Sequence, residues 1–115
     1  MILSTWNVNS IKVRLPAILQ YLQEQKPDVL VLQETKCLDE NFPSNELLEV
    51  GYHSVFCGQK TYNGVAILSN KKLDDVSLNP VSTVEGEMRS IAASFDDIRI
   101  INLYVVNGQS VGTPK

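Results

Sequence analysis

The spacing of apolar residues changes several times along the chain, and each change of period marks a predicted element. Residues 2–6 (Ile-Leu-Ser-Thr-Trp) predict a strand that begins almost at the first residue and runs into the polar loop Asn7-Val8-Asn9-Ser10. Leu15, Ile18, Leu19 and Leu22 then repeat at i, i+3, i+4 and i+7, which predicts an amphipathic helix over 14–25 with Pro16 in its first turn. That helix stops before Pro27, whose ring disfavours helical geometry at Lys26. Val29-Leu30-Val31-Leu32 is apolar on both faces and too short for a helix, as a central strand covered above and below would be. Strand, helix and strand in succession predict a parallel pair.

Further along, residues 43–49 predict a short helix closed by Gly51. Residues 52–56 and 64–69 read as two strands joined by a polar, glycine-flanked loop. Residues 90–95 and 98–104 flank Asp96-Asp97, the two-residue spacing of a hairpin without its usual glycine. After Tyr104 little remains to bury, and no repeat, low-complexity tract or interdomain linker interrupts the chain.

Composition narrows the functional classes. With 115 residues, 43% of them hydrophobic, the chain makes one domain or part of one. Thirteen acidic against ten basic residues give a net charge of −3, which argues against disorder by charge excess and against wholesale attraction to nucleic acid or anionic lipid. A phosphate-bearing partner must therefore meet a local basic patch or a metal. The apolar runs, Val29 to Leu32 among them, are too short to span a membrane, and the first residues lack the basic and long apolar stretches of a signal peptide. Cys37 and Cys57 form no CxxC pair and fit a reducing cytosol, so the expected location is cytoplasmic.

Candidate chemistry gathers where buried strands end: Asn7 and Asn9 after the first, Gln33, Glu34 and Lys36 after the second, Tyr104 and Asn107 after the last. Glu34 reads in two ways, as a hard-oxygen ligand for magnesium or as a turn cap paired with Lys36. Asn7 reads likewise as a site residue or a turn former, and Tyr104 as a site phenol or a strand aromatic with its hydroxyl at the wet edge. His53 is structural or exposed. No Ser/His/Asp triad, zinc cluster or phosphate-binding glycine loop supports those chemistries.

Four words occur in a fixed order: Thr5-Trp6-Asn7-Val8-Asn9; Pro27-Asp28 followed by Val29 to Leu32 and Gln33-Glu34-Thr35-Lys36; Gly58-Gln59-Lys60 with Tyr62-Asn63-Gly64-Val65-Ala66-Ile67-Leu68-Ser69; and Asn102-Leu103-Tyr104-Val105-Val106-Asn107-Gly108. Together they resemble the N-terminal half of the exonuclease III family of apurinic/apyrimidinic endonucleases, within the endonuclease/exonuclease/phosphatase superfamily, and a bacterial member more than a eukaryotic one. The resemblance implies an α/β (α+β) fold, the N-terminal half of a four-layer αββα sandwich, with residues 1–115 as part of a single domain. It implies a magnesium-dependent DNA-repair phosphodiesterase, with manganese as a substitute ion, that cleaves 5′ to abasic sites and trims 3′ ends of double-stranded DNA. By the same resemblance Glu34 and Asn7 serve the metal, Asn7 and Tyr104 serve catalysis, and Lys36, Tyr62, Asn63, Arg89 and Asn107 face the DNA backbone. The full-length form would be a monomer that binds no membrane.

Three departures from the family pattern stand out. Val106 replaces a frequent proline, Asn9 stands where some members have an acidic residue, and the family's Asp-x-Asn word and terminal Asp-His pair are absent. Such sandwiches commonly need roughly 200 to 250 residues, so 115 predict one sheet without its partner and an inner face open to water. Two other readings stay open: a superfamily phosphatase acting on other phosphoesters, and a non-catalytic fragment or binding module.

Overall fold

A computed structural model describes residues 1–58, 64–78 and 90–103. In chain order the elements are β1 (Leu3–Asn7), α1 (Ile11–Gln25), β2 (Val29–Gln33), a 3-10 turn (Asp39–Asn41), α2 (Ser44–Glu49), β3 (His53–Cys57), β4 (Val65–Ser69), β5 (Asp74–Leu78), β6 (Ser90–Phe95) and β7 (Ile98–Leu103). The strands form a four-stranded sheet in the order β1-β2-β4-β3 and a three-stranded sheet in the order β5-β6-β7. β1 and β2 pair in parallel, as the strand-helix-strand reading requires, and the remaining pairs are antiparallel.

Helix α1 begins three residues earlier than its Leu15-to-Leu22 stripe predicts, and the physical reason lies in Ser10. Its hydroxyl accepts the Val13 N–H at 3.4 Å as N-cap, and Ile11 joins Ile18 and Leu22 on the fully buried stripe. Pro16 consequently sits inside the helix, past its first turn, on an exposed face. The helix ends at Lys26, which adopts a left-handed conformation and returns its N–H to Leu22 O at 3.2 Å. Strand β5 had no predicted counterpart, because Asp74-Asp75-Val76-Ser77-Leu78 lies at a sheet edge, mostly exposed, and shows neither a clean alternation nor an apolar run. The predicted hairpin forms, with Asp96 supplying the positive φ of 53° that a glycine usually provides.

Two apolar layers hold these elements. On one face of the four-stranded sheet, Ile18, Leu22 and Leu47 from the helices pack on Leu30, Leu32, Ala66 and Leu68. On its other face Val29, Val31, Val65 and Ile67 meet Ile91, Ala93, Phe95 and Ile100 of the second sheet. Each fully buried aliphatic side chain here contributes on the order of 1.5–3 kcal/mol relative to exposure. The expectation of an inner face open to water is thus corrected: among the described residues the two sheets close on each other along β2 and β4. Toward the edge strands that face is less covered among the described residues: Leu3 on β1 is 54% exposed, and His53 on β3 is exposed as well. The described layers are helix, sheet and sheet; on the outer face of the second sheet Ile101 and Leu103 remain exposed among the described residues. No described helix is long and apolar enough to cross a membrane.

Candidate active site

Parallel pairing brings the C-terminal ends of β1 and β2 to the same rim, where Asn7 and Gln33 are direct partners across the ladder. Glu34 follows immediately, so the Trp-Asn-Val-Asn and Gln-Glu-Thr-Lys words, about a helix apart in sequence, share one edge. The carboxyl ends of such strands are where open α/β sheets place their ligands. Backbone bonds lace the two loops together: Val8 donates to Gln33 O at 3.0 Å, Ser10 to Glu34 O at 2.8 Å and Ile11 to Thr35 O at 2.9 Å.

Side chains complete the bracket. The Lys36 ammonium donates to Asn9 Oδ1 at 2.5 Å, and the Asn9 N–H donates to Asn7 Oδ1 at 3.2 Å. Asn9, Ser10, Glu34 and Lys36 all have positive φ, between 48° and 99°, a conformation that non-glycine residues adopt at a cost. A third word supports the rim from below: Thr35 donates to Gly64 O at 3.1 Å. A Cβ on Gly64 would come within 2.2 Å of Thr35 Oγ1, so this glycine is what allows the start of β4 to press against the Gln-Glu-Thr-Lys loop.

The described donors suit a hard cation that keeps much of its water. Glu34 could supply one carboxylate and Asn7 an amide oxygen, a set compatible with magnesium's need for one or two protein carboxylates. No cluster of three His, Cys, Asp or Glu side chains that could hold a metal ion occurs among the described residues. Both thiols are buried, and burial pushes Cys37 up despite the opposing charge of Lys12, while burial with the Asp39 charge pushes Cys57 up. His53 is exposed on β3 and belongs to the opposite end of the sheet, beside a hollow lined by Ser44, Tyr52 and Lys72.

Among the sequence-predicted residues, Asn7, Glu34 and Lys36 come together at this rim. Tyr62, Asn63, Arg89, Tyr104 and Asn107 lie outside the described residues. Sequence reading passed over Asn102 as a site-supporting group, although it is only 2% exposed in the layer between the sheets. Its Nδ2 donates to Leu32 O at 2.7 Å and Ala66 O at 2.9 Å, and its Oδ1 accepts from Gln33 Nε2 at 2.8 Å. A polar residue among the isoleucines of β7 was the available signal.

Comparison with known proteins agrees with this geometry. The profile of the Endonuclease/Exonuclease/phosphatase family matches residues 4–114. Exodeoxyribonuclease III of Haemophilus influenzae is 30% identical over 111 residues, 92% of this chain and 42% of that protein. A Neisseria 3′ phosphatase bound to a product DNA hairpin superposes with a TM-score of 0.91 at 45% identity, covering 99% of this chain and 45% of the other. An AP endonuclease from Archaeoglobus fulgidus gives 0.86 at 44% identity, covering 91% and 41%. The chain thus spans less than half the length of each of these three. Two sheets closed face to face, a rim that joins three sequence words, and a match along nearly the whole chain lead to one conclusion: this chain belongs to the endonuclease/exonuclease/phosphatase family, with exodeoxyribonuclease III and AP endonucleases among its relatives.

Proposed function

We propose that the complete protein containing these residues is a magnesium-dependent DNA-repair phosphodiesterase that cleaves 5′ to abasic sites and trims 3′ ends, leaving 3′-hydroxyls. The observation that supports this most directly is the bracket of Asn7, Asn9, Glu34 and Lys36, in which oxygen donors and one ammonium share a single strained rim. In this reading Glu34 and Asn7 hold the ion, with manganese as its substitute; when bound, the ion supplies charge neutralisation at the phosphate. Asn9 keeps the Lys36 ammonium beside that position, where it adds positive charge toward a phosphodiester. Tyr104 supplies a phenol that bonds the phosphate or passes a proton. Lys36, Tyr62, Asn63, Arg89 and Asn107 hold the DNA backbone and read no sequence, which suits a repair enzyme and predicts salt-sensitive binding. The full-length form acts as a monomer on double-stranded DNA.

The test is Glu34→Gln in the complete protein, assayed with a magnesium titration on an abasic duplex, a recessed 3′ end and a 3′-phosphate. Cleavage is expected to fall by more than about 100-fold, beyond what outer partners of a metal site typically cost. Unchanged cleavage by Glu34→Gln, or an unmodified protein that leaves all three substrates intact, overturns the proposal.

A further inference from the structure

We infer that Asn102 is a positioning residue for the rim, tying β2, which leads directly into Glu34, to β7; the inference rests on the functional reading just given. The layer between the sheets is otherwise built from Val29, Val31, Val65, Ile67, Ile91 and Ala93, and a leucine would fill the place of Asn102 with similar volume. The amide instead uses both N–H groups and its oxygen. It bonds the carbonyls of Leu32 and Ala66, which face each other across β2 and β4, and it accepts from Gln33. Gln33 Nε2 also donates to Thr5 Oγ1 at 3.0 Å. One continuous polar belt therefore crosses β1, β2, β4 and β7, and so both sheets, at the level just below the rim.

The belt does what apolar packing between sheets does poorly. Aliphatic layers resist separation, yet their contacts are non-directional and hold sliding along the strands weakly. Three directional hydrogen bonds from one buried side chain fix β7 against β2 along the strand direction. Gln33 is the ladder partner of Asn7 and directly precedes Glu34; Tyr104 follows Asn102 by two residues in sequence. Asn102 thus fixes the offset between β7 and the strands that end at the rim of Asn7 and Glu34. Misplacements of about 1 Å from residues remote to the chemistry can cost roughly 100-fold in rate.

The experiment compares Asn102→Leu with Ile18→Val or Ile18→Ala, whichever matches its loss in Tm, in the complete protein well below both melting temperatures. Expected for Asn102→Leu is a fall in kcat of about 10- to 100-fold with KM for an abasic duplex unchanged, as for outer partners of metal sites. The magnesium concentration that half-stabilises the protein against heat is expected to rise as well, a readout independent of turnover. The double variant Asn102→Leu/Gln33→Met is expected to be no worse than Asn102→Leu alone. Should Asn102→Leu fail to fold, Gln33→Met breaks the same link from a half-buried position and carries the same expectations. If Glu34→Gln abolishes cleavage while neither Asn102→Leu nor Gln33→Met exceeds the Ile18 control in kcat and magnesium response, the inference is overturned and the functional reading stands. If Glu34→Gln leaves cleavage intact, both fall.

Discussion

Gly64→Ala tests the claim that two sequence words form one structural joint. Gly64 has φ +107°, and a Cβ there would stand 2.2 Å from Thr35 Oγ1 and 3.3 Å from the Lys36 nitrogen. Gly51 offers an internal control, with φ +94° and nothing within 4 Å of its Cβ position. Both substitutions carry the conformational cost of an L-residue at positive φ, about 1–2 kcal/mol. Only Gly64→Ala adds overlap, and Thr35 is 1% exposed, so its hydroxyl has no solvent to swing into. Overpacking of this kind costs about 1–3 kcal/mol more, a further fall in Tm of roughly 2–12 °C for a domain of 150–250 residues. Thermal unfolding of the complete protein measures both variants. In a Thr35→Ala background the clashing oxygen is gone, and Gly64→Ala is expected to cost little more than Gly51→Ala. Equal costs for the two glycine variants, or an undiminished cost in the Thr35→Ala background, would refute the joint.

Two other expectations concern the opposite end of the sheet and the chain as a unit. Asp28 accepts the Ile2 N–H at 2.7 Å and the Asn70 amide at 3.2 Å, and these bonds, the first above all, hold its carboxyl below the usual range. Its ionised form therefore stabilises the fold above the unfolded pKa, and that contribution is lost as pH falls through the folded one; thermal unfolding of wild type should lose stability below about pH 4 more steeply than Asp28→Asn, and parallel curves would count against this. The 115 residues alone are expected to show no metal-dependent cleavage, with activity returning when the remaining part of the protein is added in trans; robust turnover by the purified 115-residue chain would overturn that.

Legibility followed the strength of each local signal. Val29 to Leu32, flanked by polar residues and apolar on both faces, could be little else than a buried central strand, and the Leu15-to-Leu22 stripe marked α1. The start of α1 was misjudged because Val8-Asn9-Ser10 belongs to the site: Ser10 has an unusual φ of 99° and is bonded to Glu34, so the cap is set by tertiary contact. β5 was invisible because an edge strand has only one neighbour to satisfy and its burial pattern carries almost no period. Asn102 was missed for a related reason. A single asparagine in a strand says nothing of three acceptors and donors contributed by β2 and β4, some seventy and thirty-six residues away in sequence.

The rim also explains why its words are so specific. Asn9, Ser10, Glu34 and Lys36 each occupy a conformation that costs non-glycine residues on the order of 1–2 kcal/mol, less for asparagine, and no local turn signal rewards all four. The bonds from Val8, Ser10 and Ile11 to the carbonyls of Gln33, Glu34 and Thr35 hold one strained loop with the other, while Gly64 secures Thr35 from behind. Neither loop alone has partners for these groups, so the geometry exists only once β1, β2 and β4 have assembled. Strain that persists because its surroundings over-determine it is characteristic of functional sites. On the proposed function the net charge of −3 is no obstacle: an ion held by Glu34 and Asn7, with the Lys36 ammonium beside it, would meet a phosphodiester locally, and a basic surface would not be required.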